Sequence, residues 1–227
     1  MAHREKYYDA RLSGRKLREV YAVASPRIRQ YLDAETDFVL GQIAPGALVL
    51  DLGCGYGRII PKLMSKAGRV VGIDNSKGNL AEAQRYCRGL RDFGLAAMDA
   101  ARLGFAAESF DAAVCIQNGV SAFKVDPGAL FEESLRVTRR GGVALFSTYA
   151  DSFWEHRLQW FRAQAARGLV GEIEEELTRR GEIVCRDGFR AMTFSSEDFL
   201  QLAGDLPAEA TIREVDGSSL FCVLRRR

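Results

Sequence analysis

Three carboxylates stand at the ends of short apolar runs. Asp51 closes "LVLD", Asp74 closes "RVVGID" and Asp99 closes "GLAAMD". A fourth run, "FDAAVCI", is followed by the amides Gln117 and Asn118. Glycines at 53, 55 and 57 come directly after Asp51, and such a cluster marks a tight turn or the close approach of a ligand. An ionised carboxylate accepts hydrogen bonds and donates none. Placed in one crevice, these acids suit the hydroxyls of a ribose, an exocyclic amine or an ammonium.

Asp51 narrows the choice. A glycine loop leading into a helix N-terminus favours an anion, yet a pyrophosphate beside Asp51 meets like charge. A zwitterionic amino acid does not: its ammonium suits the acid and its carboxylate suits the free N–H groups. A dinucleotide fingerprint needs a third glycine three residues after Gly55, and Arg58 stands there. Asp74 can take both ribose hydroxyls and Asp99 the amine of a purine. Amino acid, ribose and adenine together describe S-adenosylmethionine.

The elements that must hold these residues follow from periodicity. Residues 15–42 mix charged and apolar positions at helical spacing, and Pro26 divides them into two helices. Residues 48–52 read as a strand buried on both faces, and "RIIPKLMSKAG" as a helix with Pro61 near its first turn. Strands are expected over 69–74, 94–99, 110–116 and 143–149. Helices are expected over 77–89 and 127–139, the latter stopped by Gly141–Gly142. Strands alternating with helices make a doubly wound, mostly parallel α/β sheet, whose ligands bind at the carboxyl ends of the strands. After Tyr149 the alternation breaks. Residues 151–180 read as helical, 181–194 as a strand or hairpin, and "SSEDFLQLA" as a serine-capped helix. Two final strands flank Asp216–Gly217, a strong hairpin turn.

The order and spacing of four motifs resemble the class I S-adenosylmethionine-dependent methyltransferases, of the small-molecule type, over about residues 45–150. "VLDLGCGYGR" matches the glycine motif, "VVGID" the ribose motif and "MDAARLGFAAESFDAAVC" the adenine region with the fourth strand. "LFEESLRVTRRGGVALFST" matches the segment up to and including strand five. The resemblance implies a Rossmann-like sheet of seven strands with an antiparallel last strand beside strand five. It implies cofactor contacts at Asp51, Gly53, Gly55, Asp74, Asn75, Asp99, Ala100 and Gln117, with Cys54 as a small residue that fits the loop. It also implies that residues 1–42 fold over the cofactor as a helical lid, with a tyrosine such as Tyr8 near the methionine end.

The acceptor site is expected in the remaining parts of a single domain: the N-terminal helices and an insertion over 150–195. The aromatic segment "YADSFWEHRLQWFRAQ" is either a helix packed over the sheet edge or a wall above the acceptor. Tyr21, Trp154, Arg157 and Arg190 are the candidate substrate contacts. His156 is a candidate general base or a surface histidine, and Tyr149 lies at the end of strand five. Methyl transfer from a sulfonium needs the nucleophile held in line more than it needs covalent help. Three functions compete: a methyltransferase of small molecules, a tRNA or protein methyltransferase, and a binding module that keeps the nucleoside pocket without catalysis.

Composition bounds the partners. The chain has 227 residues and a formal net charge of +2, which argues against nucleic acid as the main partner. Cysteines 54, 87, 115, 185 and 222 are scattered, with no C-x-x-C pair. They read as reduced thiols of a cytoplasmic protein, with no metal site expected. No apolar run approaches the roughly 18 residues of a membrane span, and the N-terminal residues show no signal-peptide pattern. A monomer and a homodimer both remain open.

Overall fold

The computed structural model describes Tyr7 and residues 11–227. Helices α1 (Arg15–Ala22) and α2 (Pro26–Gln42) come first. Pro26 opens α2 where its missing N–H costs nothing, and Ser25 caps it by accepting from the Ile28 amide. Then β1 (Leu48–Leu52), α3 (Ile60–Leu63), β2 (Arg69–Asp74), α4 (Lys77–Tyr86) and β3 (Phe93–Ala97) alternate. They are followed by β4 (Phe110–Cys115), α5 (Gly119–Ala122), α6 (Pro127–Val137) and β5 (Thr138–Tyr149). A short 3-10 turn at Asp151–Phe153 leads into α7 (Trp154–Ala165). A hairpin of β6 (Glu182–Val184) and β7 (Arg190–Met192), helix α8 (Ser196–Ala203), β8 (Ala208–Val215) and β9 (Ser219–Arg226) complete the chain.

The seven-stranded sheet has the order β3-β2-β1-β4-β5-β9-β8. Strands β1 to β5 run parallel, β9 pairs antiparallel with β5, and β8 pairs antiparallel with β9. The β8–β9 turn holds Asp216 at φ 57° and Gly217 at φ 59°, the pair of left-handed residues that matches strand twist in a tight hairpin.

Apolar layers cover both faces. Phe131, Phe146 and Phe199 lie in one, the first two stacked with ring centroids 3.9 Å apart. Val39, Ile60, Leu145 and Phe221 lie in the other. A third cluster joins the N-terminal helices to the insertion through Tyr31, Tyr149, Phe153, Trp160 and Phe189. Among the described residues, no helix is long and apolar enough to cross a membrane.

Three elements differ from expectation. Gly141 and Gly142 lie inside β5, not at a helix end; Gly142 sits where a Cβ would meet the Asp111 carbonyl at 2.7 Å. The helix after the glycine loop shrinks to four residues. The helix expected across 151–180 stops at Ala165. Gly168 adopts φ 66° while its N–H donates to the Ala165 carbonyl and the Leu169 N–H donates to that of Gln164. That is a Schellman stop, and it releases the following chain to run back toward the hairpin.

Candidate functional site

The sheet order reverses between β1 and β4, and the cavity lies there, beyond the carboxyl ends of the strands. Including its mouth, it spans about 1320 Å³.

Parallel register puts Asp51 level with Gly72 on β2 and Val114 on β4, and Asp74 level with Ala97 on β3. Asp51, Gly53, Cys54, Gly55, Asp74, Asn75, Asp99, Ala100 and Gln117 all line the one cavity. Gly53 has φ +71°, and a Cβ there would come within 2.3 Å of Phe123 Cε1. Glycine is therefore required both for the turn and for the ring above it. Asp74 is 8 % exposed. It accepts from the Gly55 amide at 3.0 Å, the Ser76 amide at 2.8 Å and Asn79 Nδ2 at 3.2 Å, which locks the loop to the end of β2. Asp99 accepts from the Ala101 amide at 3.0 Å at the far end of the cavity.

Asp51 is 3 % exposed, and its Oδ2 is buried without a hydrogen-bond partner. Burial pushes its carboxyl up to about 7; nearby Arg58 opposes the shift and Asp74 adds to it. An unsatisfied buried acceptor of this kind requires a donor, and an ammonium supplies one with charge. The donor set thus fits S-adenosylmethionine: Asp51 for the ammonium, glycines for close backbone approach, Asp74 for the ribose and Asp99 for the adenine.

The loop itself has a different role from the one expected. The amides of Cys54, Gly55, Gly57 and Ile60 donate to Ile73 O, Asp74 Oδ2, Cys54 O and Gly57 O. These four N–H groups are engaged within the protein, and the helix that follows is only four residues long.

Of the acceptor-site candidates, Tyr21 and Arg190 line the cavity. The Tyr21 hydroxyl donates to Gln117 Oε1 at 2.7 Å. Tyr149, His156, Trp154 and Arg157 do not line it. Tyr149 is buried between Tyr31 and Phe153 with Arg157 4.7 Å from its ring centre, and burial raises its phenol far above the usual value. His156 is exposed on α7, its ring 5.3 Å from that of Phe153. Arg157 is fully buried and donates to the carbonyls of Ala191 at 2.8 Å and Gly181 at 3.3 Å. It clasps the hairpin to α7, and Trp154 packs at the rim of the same cluster. Catalytic roles for His156 and Tyr149, and substrate contact by Trp154 and Arg157, are corrected accordingly. Helical spacing puts Trp154, His156 and Arg157 on one helix but does not tell which side of the sheet that helix covers. Tyr8 lies outside the described residues.

Several residues were not foreseen. Arg58, Tyr56, Phe123 and Phe189 line the cavity. Glu35 lies deeper, on α2, fully buried, with Oε1 accepting from Ser147 Oγ at 2.6 Å. Ser147 Oγ in turn accepts from the Gln117 amide at 2.9 Å. Burial pushes the Glu35 carboxyl up to about 7, against the pull of Ser147 and Arg58. A sequence signal existed: Ile28, Tyr31, Glu35 and Val39 fall on one helical face, and an acid on an apolar face is rarely idle. The β6–β7 hairpin is fixed to this floor as well. Asn118 Nδ2 donates to the Met192 carbonyl at 2.8 Å, and the Met192 amide donates to Ser121 Oγ at 2.9 Å.

Residues 49–142 match the family described as "Methyltransferase domain". A demethylmenaquinone methyltransferase of Beutenbergia cavernae is 44% identical over 108 residues, covering 46% of this chain and 42% of that protein. An uncharacterised protein in transposon TN4556 of Streptomyces fradiae is 29% identical over 198 residues, covering 81% and 55%. The chain spans about half the length of the curated relatives it matches. Among solved structures, a SAM-dependent methyltransferase of Methanosarcina mazei superposes with a TM-score of 0.61 at 20% identity, covering 83% of this chain and 96% of that one. At that identity the likeness is one of fold.

Proposed function

We propose, from the premise that residues 49–142 form a class I S-adenosylmethionine-dependent methyltransferase domain, that this protein transfers the cofactor's methyl group to a small-molecule acceptor. The observation that carries the reading is the convergence of Asp51, Asp74 and Asp99 on one cavity at the β1/β4 reversal.

When bound, the cofactor supplies an electrophilic sulfonium methyl. The protein's own contribution is placement and exclusion of water. Asp51 holds the ammonium, Asp74 the ribose and Asp99 the adenine amine, so the cofactor can lie only one way round. Tyr21, Tyr56, Phe123 and Phe189 wall the remaining space with aromatic surface. The wall suits a molecule with an apolar or flat body, in keeping with a relative named for demethylmenaquinone. The described N-terminal residues, 11–42, act as the lid. Within it, Leu17 and Tyr21 of α1 line the cavity, and the Gly14 amide is held by Asn79 Oδ1 at 2.7 Å. The insertion over 150–195 forms the opposite wall through Gly188, Phe189 and Arg190.

Calorimetry with S-adenosylmethionine and S-adenosylhomocysteine tests the reading. Both are expected to bind one per chain, and Asp74→Ala is expected to abolish the heat. Absence of binding at millimolar ligand sinks it.

A further inference from the structure

We propose that Arg58 and Gln117 form a clamp for the carboxylate of the cofactor's amino-acid end. The inference rests on the reading that the cavity binds S-adenosylmethionine.

The cavity is lined by three residues that carry buried polar atoms without hydrogen-bond partners: Asp51 Oδ2, Arg58 Nη2 and Gln117 Nε2. One is an anionic acceptor, one a cationic donor and one a neutral donor. Buried polar groups are normally paired, and a set left open in one cavity describes the ligand that closes it. An ammonium on Asp51 leaves a carboxylate to be placed. The amides of Cys54, Gly55 and Gly57 already donate within the protein. The two buried donors left without a partner, a guanidinium and a side-chain amide, are a pair suited to a carboxylate's two oxygens.

The two donors are also aimed. Arg58 lies 5.2 Å from the centre of the Tyr21 ring, which supports the guanidinium on one face. Gln117 is fixed at both ends. Its backbone has φ 57°, and its amide N–H donates to Ser147 Oγ at 2.9 Å, which is itself tied to Glu35. Its Oε1 accepts from the Tyr21 hydroxyl at 2.7 Å. With the oxygen held by Tyr21, the NH₂ group is the end left for a ligand. Tyr21, Ser147 and Glu35 are positioning residues of this clamp.

Two probes separate the amino-acid end from the rest without any knowledge of the acceptor. S-adenosylhomocysteine carries the amino acid; 5′-methylthioadenosine keeps the nucleoside and sulfur but has a methyl in its place. Calorimetry on the full chain should show S-adenosylhomocysteine losing about 10- to 100-fold in affinity in Arg58→Met, and methylthioadenosine changing less than about twofold. Gln117→Leu, which leaves Arg58 in place, should lose about 5- to 10-fold for S-adenosylhomocysteine alone, and Arg58→Lys should retain part of the affinity. Unchanged affinity of S-adenosylhomocysteine in both Arg58→Met and Gln117→Leu overturns the proposal and hands Arg58 to the acceptor. Equal losses for both probes overturn it too, by making Arg58 a structural residue. If neither probe binds the wild-type chain, the cofactor reading itself falls; if both bind and only the discrimination is missing, the clamp alone falls.

Discussion

Replacement of Asp51 by asparagine keeps the side chain's shape and removes its charge. The carboxyl's ordinary value is 3.8 and burial lifts it to about 7. A rise of about 3 units, at about 1.4 kcal/mol each, means that the folded chain spends about 4 kcal/mol to keep Asp51 ionised at pH 8. The cavity is open to water at its mouth, so about half of that, about 2 kcal/mol, is the recoverable part. The sign follows from proton counts. Between pH ~4 and ~7 the folded state holds a proton that the unfolded state has lost, so the penalty grows through that window and is constant above it. For a domain of this size about 2 kcal/mol corresponds to a melting temperature higher by about 4–8 °C. Asp51→Asn should therefore melt higher than wild type at pH 8, by a margin that shrinks as the pH falls toward 4. The same variant should bind S-adenosylhomocysteine at least about tenfold more weakly, because its amide cannot serve the ammonium as a charged acceptor. Differential scanning calorimetry across pH and titration calorimetry at pH 8 read the two effects. A variant that melts at or below wild type at pH 8, or that keeps its affinity, refutes the reasoning.

Wild-type cofactor affinity should itself rise between pH 5.5 and 8 as Asp51, poised at about 7, gives up its proton; titrations in buffers of different ionisation enthalpy at pH 6 should report a proton released on binding. Gly53→Ala drives a Cβ to 2.3 Å from Phe123 Cε1 at φ +71°, and should cost about 1–3 kcal/mol in urea unfolding, with Phe123→Ala restoring part of it in a double-mutant cycle. Arg157→Met removes the side-chain donor to the Ala191 carbonyl and the weaker one to Gly181, and should destabilise by about 2–4 kcal/mol, with loss of order in the β6–β7 hairpin visible by amide exchange.

The doubly wound sheet was legible because each strand is an apolar run that ends in a chemically distinct residue. Asp51, Asp74 and Asp99 then fell into one crevice by topology alone. The acceptor side was not legible, because its walls come from segments that the alternating pattern does not place. Trp154 and Arg157 share a helix with good apolar spacing, yet that helix packs on α2 and the hairpin and does not line the cavity. Phe123 and Phe189 reach the site through backbone turns rather than periodicity: Gln117, Asn118 and Lys124 adopt positive φ around α5, and Gly188 does so just before Phe189. In the sequence Arg58 stands out only as occupying the position where a dinucleotide loop carries its third glycine. Its buried Nη2 over the Tyr21 ring is a product of the fold.

Strand β9 occupies the place between β5 and β8, although it follows both in the chain. Growing from its N-terminus, the polypeptide makes every other strand of the sheet before the one that fills this gap. Until Ser219–Arg226 arrive, the whole inner edge of β5 from Val143 to Tyr149 lacks its partner, and that edge carries residues as apolar as Leu145 and Phe146. An unpaired strand of this composition is open to any other extended chain. The price of threading the last strand into the interior is a nascent state whose protection depends on speed or on a chaperone, and in which the ligand cavity's floor at Ser147 is not yet braced from the far side.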